Sequence, residues 1–150
     1  MKKVSILFLC ICTLLVGLSA CTSSKEGKLF NGENSNNWNT SGNVSVKEQT
    51  LILTGADAKA ILKKGTSKDF ILTLELRTTA GGKGYIGFHT DQNLDKGYKI
   101  SVNNNHNDPI WWKMTGSLLS VRNLTKSFVR ENEWFTMDIK VAGQEIDVFI

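Results

Sequence analysis

The sequence predicts an all-β domain built as an antiparallel sandwich of two sheets, and three observations support this. Short segments of alternating apolar and polar residues recur along the chain, which is the period of a half-buried strand. Turns rich in glycine and asparagine separate these segments. The chain has one proline and few stretches with helical periodicity. Many short alternating strands joined by such turns are typical of β-sandwiches.

Residues 1–20 have the pattern of an export signal. Two lysines precede an uncharged, mostly apolar run, Val4–Ala20, which is shorter than the ~20 residues that a membrane-spanning helix usually needs. Cys21 follows small residues directly, as in bacterial lipoprotein signals that are cleaved before a cysteine carrying diacylglycerol. We therefore expect a lipid anchor on Cys21. Thr22 is not the aspartate that retains many lipoproteins in the inner membrane, which favours the outer membrane.

Residues 21–28 are predicted to be a lipidated polar tether, and residues 29–150 to be the folded domain. Once the signal is removed, Cys21 is the one cysteine left, so neither a disulfide framework nor a cysteine metal site is expected. The mature chain has 16 basic and 14 acidic side chains. This balance argues against a nucleic-acid partner.

The first strands are predicted to form a hairpin, in which Asn43–Val46 and Leu51–Thr54 flank a polar turn. Asp69–Arg77 is the clearest strand, because its even-numbered side chains are all phenylalanine or leucine and face one way. The tryptophans Trp38 and Trp134 are expected in the core. The remaining strand segments, in chain order, are Ala60–Leu62, Tyr85–His89, Gly97–Val102, Ser117–Val121, Trp134–Val141 and Glu145–Ile150.

The chain ends inside its last strand segment, Glu145–Ile150, with no turn after it. A domain seldom ends at an open strand edge, because such an edge leaves backbone groups unpaired. We therefore expect the domain of residues 29–150 to be incomplete and to come from a longer reading frame.

The loop Asn103–Lys113 is a candidate binding segment. It combines asparagines, Asp108 and Lys113 with two adjacent tryptophans. Aromatic faces pack on the C–H faces of sugars, and amide, carboxylate and ammonium groups reach the hydroxyls. We expect Trp112 to contact a sugar, whereas one of Trp111 and Trp112 is expected to close the end of the sandwich.

A second group of candidates projects from the non-core faces of neighbouring strands. Glu75, Arg77, Tyr85 and His89 would line one surface if their strands pair, and would supply a general base and an electrophilic group. Alternatively, the carboxylate and guanidinium form a charge pair without a further role. Two further candidates follow a later strand and could hold an anion or hydroxyl, or simply stabilise a turn: Arg122 and Asn123.

Several blocks in this order resemble the bacterial family of 3-keto-glucoside lyases and 3-keto-2-hydroxyglucal hydratases, also called 3-keto-disaccharide hydrolases. The resemblance runs from Leu29 to Ile150 and implies a concanavalin-A-like jelly roll whose final strands lie beyond Ile150. It also implies a carbohydrate substrate and, for many members, a lipoprotein. The blocks are Leu29-Phe30-Asn31-Gly32 with Trp38, Leu74–Arg77, Gly84–Phe88, Gly97-Tyr98, Thr115-Gly116-Ser117 and Glu133-Trp134-Phe135.

The activity implied by the resemblance is cleavage of a glycoside oxidised at sugar carbon 3. A base removes the proton on C2, an enolate forms, the C1 substituent leaves, and water adds to the product. The catalytic candidates are His89 or Glu75 as the base and Arg77 or Lys99 facing the enolate oxygen. A divalent metal, held by His89 and Asp108, could replace that cation. The substrate-binding candidates are Tyr85, Asp108, Trp112, Lys113, Arg122 and Asn123.

The chain departs from the family pattern at one block. Many relatives carry Gly-Tyr-Glu-x-Gln where this chain has Gly97–Ser101, so that Lys99 and Ser101 replace a carboxylate and an amide. The alternative function is therefore a non-catalytic carbohydrate-binding module of the cell envelope. A sandwich fold hosts both classes and does not decide between them.

Overall fold

The computed structural model describes residues 27–65, 67–91 and 93–150. The signal, Cys21 and most of the tether lie outside these ranges. The described residues form seven strands, and among them no helix is long and apolar enough to cross a membrane. The predicted all-β class is confirmed. The strands are β1 (Trp38–Lys47), β2 (Thr50–Leu62), β3 (Phe70–Leu76), β4 (Lys83–Phe88), β5 (Tyr98–Asn103), β6 (Phe135–Ala142) and β7 (Glu145–Phe149).

The strands pair antiparallel in three groups, β1–β2, β3–β6–β7 and β4–β5. The apolar faces of the second and third groups pack on each other, as expected for a sandwich. Half-buried leucines of β3 border this core, as their alternation predicted. The buried core side chains are Phe88, Ile100, Val102, Met137, Ile139 and Val141.

The predicted hairpin is confirmed, and its strands are longer than expected. Glu48 and Gln49 form the turn with φ of 51° and 57°, which is the backbone of a tight hairpin turn. The register shifts beside Gly42, where a side-chain carbon would lie 2.7 Å from the Asp57 backbone oxygen. The predicted strand Ala60–Leu62 is the end of β2 and not a separate element.

The predicted strand Ser117–Val121 is wrong. Leu118 makes single bridges to Ile100 and Arg122, and the backbone N–H groups of Leu118 and Arg122 each donate to the other residue's carbonyl. These two bonds close a tight turn, which ends the pairing. The segment still covers the second edge of β5, since Leu119 N–H donates to the Lys99 carbonyl oxygen at 2.9 Å.

The tryptophans are more exposed than the sequence suggested. Trp134 is 51% exposed and is not a core residue; it directly precedes β6, and its ring lies 4.9 Å from the Arg77 guanidinium. Trp111 and Trp112 are 55% and 43% exposed, so neither closes the end of the sandwich. Trp38 is half-buried, and its indole Nε1 is buried without a hydrogen-bond partner among the described residues.

Candidate functional site

The outer face of the β4–β5 sheet carries several of the predicted site residues. Alternate residues of β4 face the core, so Tyr85 and Gly87 face outward, where they pair with Ser101 and Lys99 of β5. The Lys99 ammonium lies over the Tyr85 ring, with Nζ 5.0 Å from the ring centroid. We call the surface formed by Tyr85, Lys99 and Ser101 the Lys99 face.

Two loops bound the Lys99 face. The loop after β4 lies over Gly87, because a side-chain carbon there would meet Thr90 Cγ2 at 3.2 Å. The loop after β5 crosses the other end, where Ser101 Oγ donates a hydrogen bond of 2.7 Å to the Lys113 carbonyl oxygen. The Lys99 face therefore lies on two strands and is bounded by two loops. The Ser101 hydroxyl is already hydrogen-bonded to the second loop.

Asp108 fixes the loop after β5. Its side chain is only 3% exposed, and its carboxylate accepts from Lys83 Nζ at 2.9 Å, Asn103 Nδ2 at 3.2 Å and the Ile110 backbone N–H at 2.7 Å. The hydrogen bond from Lys83 is the main cause that lowers the pKa of Asp108 below its ordinary value of 3.8. The carboxylate, which the sequence predicts to contact a sugar, is therefore ionised and enclosed by these three donors.

A buried polar network ties the start of the same loop to two other segments. Asn104 is fully buried, and its Oδ1 accepts hydrogen bonds from the hydroxyls of Thr115 and, at 3.0 Å, Ser127. Its Nδ2 donates to Thr78 Oγ1 at 3.1 Å, and the Asn103 backbone N–H donates to Thr115 Oγ1 at 2.8 Å. Sequence reasoning missed this network, because buried asparagines after a strand look like those of a solvated loop.

Trp111 and Trp112 form the aromatic part of the loop. Their rings meet edge to face, with centroids 5.8 Å apart. They belong to a turn in which Lys113 N–H donates to the Ile110 carbonyl oxygen at 3.1 Å. Because the Lys113 carbonyl is bound by Ser101, the turn that carries the two exposed indoles is anchored to β5.

His89 lies at the end of β4, at the rim of the sandwich. Its backbone φ of 51° is unusual for a residue other than glycine. Its Nε2 is 3.1 Å from the Ser67 carbonyl oxygen, and its ring packs edge-on against Phe70 and Phe88. The imidazole is therefore held at one end of the β4–β5 sheet against rings that border the core, and not on the outer face with Tyr85 as the sequence predicted.

Glu75 and Arg77 do not share a surface with Tyr85. Their strand, β3, pairs with β6 and not with β4, and the core separates the two sheets. Both side chains project from the outer face of the β3–β6–β7 sheet, where the Arg77 guanidinium lies 4.9 Å from the centroid of the Trp134 ring. The expected common surface of these residues is thus divided between opposite sides of the molecule.

The remaining candidates lie beyond β5 or have separate partners. Both Arg122 and Asn123 are exposed; Arg122 closes the turn that begins at Leu118, and Asn123 follows that turn. The two suggested metal ligands each have their own partner: His89 bonds to the Ser67 carbonyl oxygen and Asp108 to Lys83. In the described part of the chain, no three histidine, cysteine or acidic side chains are grouped to hold a metal ion.

Comparison with known proteins identifies the family of this domain. A family model described as a 3-keto-alpha-glucoside-1,2-lyase-like domain matches residues 25–150, which include all seven strands and both loops of the Lys99 face. Neither the curated proteins nor the solved structures gave a match. The family resemblance drawn from the sequence blocks is confirmed. Since the match covers most of its length, the chain belongs to the 3-keto-alpha-glucoside-1,2-lyase-like domain family.

Proposed function

We propose that this protein cleaves glycosides whose sugar is oxidised at carbon 3, and that the reaction takes place on the Lys99 face. Membership of the 3-keto-alpha-glucoside-1,2-lyase-like family supports the reaction class and a sugar substrate. The observation that carries the choice of surface is the Lys99 ammonium, which stands over an outward-facing tyrosine between two loops. The exposed Trp111–Trp112 pair on one of these loops suits a sugar ring.

The chemistry requires a group that stabilises negative charge. The C3 ketone acidifies the proton on C2, and its removal forms an enolate that expels the C1 substituent. Lys99 would face the enolate oxygen, since an ammonium stabilises charge that develops during the reaction. Within the described residues Lys99 forms no salt bridge, whereas Lys83 of the same sheet is paired with Asp108.

His89 is the base in this proposal. A carbonyl oxygen only accepts hydrogen bonds, so the contact with Ser67 requires the proton of a neutral imidazole to be on Nε2. Nδ1 then keeps its lone pair and would take the C2 proton of a substrate that extends from Lys99 to the end of the β4–β5 sheet, where the imidazole packs on Phe70 and Phe88. Glu75, the other candidate base, lies on the opposite side of the sandwich from Lys99.

The decisive experiment supplies the full chain with a 3-keto-glucoside and with the matching unoxidised glucoside. We expect release of the aglycone from the keto form only, and a loss of about 100-fold or more in kcat/KM for Lys99→Met and for His89→Gln. Lys140→Met, which removes an exposed lysine from the other sheet, is the matched control and should leave the rate unchanged. Equal release from both glucosides would contradict the mechanism.

A non-catalytic carbohydrate-binding module is the second candidate. It is favoured because a carboxylate and a hydroxyl that could act in catalysis are already hydrogen-bonded within the protein. Asp108 is enclosed by its donors, and the Ser101 hydroxyl is bound to the Lys113 carbonyl oxygen. If neither glucoside is cleaved but sugar is bound, this function replaces the first. Trp112→Ala should then weaken binding by roughly 1–3 kcal/mol.

Attachment to a membrane is also part of the proposal. The sequence pattern around Cys21 supports a lipid anchor in the cell envelope, and Thr22 favours the outer membrane. Changing Cys21 to Ala should release the protein from the membrane fraction or leave it unprocessed. A mature, membrane-bound form of the variant would show that the anchor is not on this cysteine.

A further inference from the structure

Trp134 borders two neighbouring shallow depressions, each open to solvent and here called a cavity, on the outer face of the β3–β6–β7 sheet, away from the Lys99 face. One cavity, of about 360 Å³, is lined by Glu75 and Thr136 together with Trp134. The other, of about 350 Å³, is lined by Arg77, Trp134 and residues at the turn end of the β1–β2 hairpin. The Trp134 indole therefore lines both cavities. We call the region formed by Trp134, Glu75 and Arg77 the Trp134 surface.

The indole is both accessible and held in place. Half of Trp134 is exposed, although burying so large an aromatic ring would be favourable. The Arg77 guanidinium lies 4.9 Å from the ring centroid, a cation–π contact that restrains both side chains. A ring fixed before the ligand arrives loses less conformational entropy on binding.

The polar groups beside the ring are available to a ligand. Glu75 and Arg77 are two positions apart on β3 and therefore project from one face. In the described part of the chain neither forms a salt bridge. A carboxylate accepts from hydroxyl groups and a guanidinium donates to them. One negative and one positive group give the surface no net preference for a charged ligand.

We propose that the Trp134 surface binds an α-linked gluco-oligosaccharide at a site separate from the reaction site. One sugar ring packs on the indole, and its hydroxyls bond to Glu75 and Arg77. The choice of glucose units rests on the proposed function, whereas the site itself rests on the exposed ring, its two cavities and the charged side chains of Glu75 and Arg77 beside it. Because the two surfaces lie on opposite sheets, a chain could be held here while another segment is cleaved.

The test uses the full chain and two α-glucan probes. Migration of the native protein is followed in gels containing dextran, and maltoheptaose is titrated by isothermal calorimetry, whose signal does not depend on Trp134. Trp134→Ala should raise the Kd about tenfold or more, in line with the loss of a stacked aromatic ring. Phe128→Ala is the matched control, because Phe128 is exposed and also has a cation, Lys126, 5.6 Å from its ring, yet lines neither cavity.

Two further variants separate binding from folding and from the reaction site. Trp134→Phe keeps an aromatic ring and should retain most of the affinity, while Arg77→Gln should weaken it about threefold or more through the lost charge and hydrogen bonds. Trp112→Ala should leave this site unchanged. The proposal is overturned if the wild-type chain binds neither probe, if Trp134→Ala and Phe128→Ala behave alike, or if Trp112→Ala alone abolishes binding. Loss of cleavage activity bears only on the Lys99 face.

Discussion

Replacing Asn104 by alanine tests whether the buried polar network holds the loop beside the Lys99 face. The amide is fully buried, and three side chains depend on it. The Thr115 hydroxyl loses the acceptor for its proton, which costs about 1–3 kcal/mol for a buried group. Ser127 is affected less, because its hydroxyl can donate to the Val129 carbonyl oxygen at 3.1 Å.

The space left by the amide adds to this loss. Removing a few heavy atoms from a closed site costs about 1 kcal/mol through the residual cavity. Thr78 loses only a donor to its hydroxyl oxygen, so its contribution is smaller than that of the Thr115 hydroxyl. We therefore expect Asn104→Ala to lower the free energy of unfolding by about 3 kcal/mol, with the unpaired Thr115 hydroxyl as the largest part.

The assay is urea unfolding followed by tryptophan fluorescence and circular dichroism, with the midpoint and slope fitted separately. Asn107→Ala is the matched control, since this asparagine is exposed, and its effect should stay within about 0.5 kcal/mol. The double variant Asn104→Ala with Thr115→Val removes both partners and should be less destabilised than the sum of the two single changes. A loss below about 1 kcal/mol for Asn104→Ala would refute the reasoning.

Three further predictions follow from single contacts. The Lys83 hydrogen bond is the main cause that lowers the pKa of Asp108, so the ionised carboxylate stabilises the folded state above pH 3.8, and this stabilisation is lost as the pH falls through the lowered pKa. Asp108→Asn should therefore flatten the acid limb of a curve of unfolding free energy against pH. Gly97→Ala should cost more than Gly81→Ala: both have positive φ, but only at Gly97 would the added carbon lie 2.5 Å from a backbone oxygen. Thermal unfolding of the two variants tests this, and the melting temperature should fall further for Gly97→Ala. Ile139→Val should cost about 1 kcal/mol in urea unfolding, because the side chain is fully buried.

Local patterns predicted most strands because alternation is a property of neighbouring residues. The strand Asp69–Arg77 was expected from its apolar alternation, and β3 occupies Phe70–Leu76 with the leucines toward the core. The failure at Ser117–Val121 has a local geometric reason. Its backbone groups bond within a turn around Leu118, and alternation alone does not show which partner a carbonyl will take.

The candidate site was predicted less well, because it depends on strand pairing. Alternation correctly placed Glu75 on a non-core face, but it does not say which sheet that face belongs to. The partner of β3 is β6, which is distant in sequence, so Glu75 and Tyr85 are on opposite sides. Burial was also predicted wrongly at two positions: the Asp108 carboxylate is enclosed, whereas the Trp134 indole is exposed.

The sequence alone determined the all-β class, the hairpin, most strand positions and the family, since each depends on residue order and short-range periodicity. The tertiary structure alone decided which polar groups stand together. Pairing and burial join residues far apart in the chain, as when Asn104 meets Thr78 and Ser127. The same long-range packing separates Lys99 from Arg77, because the core lies between the two sheets.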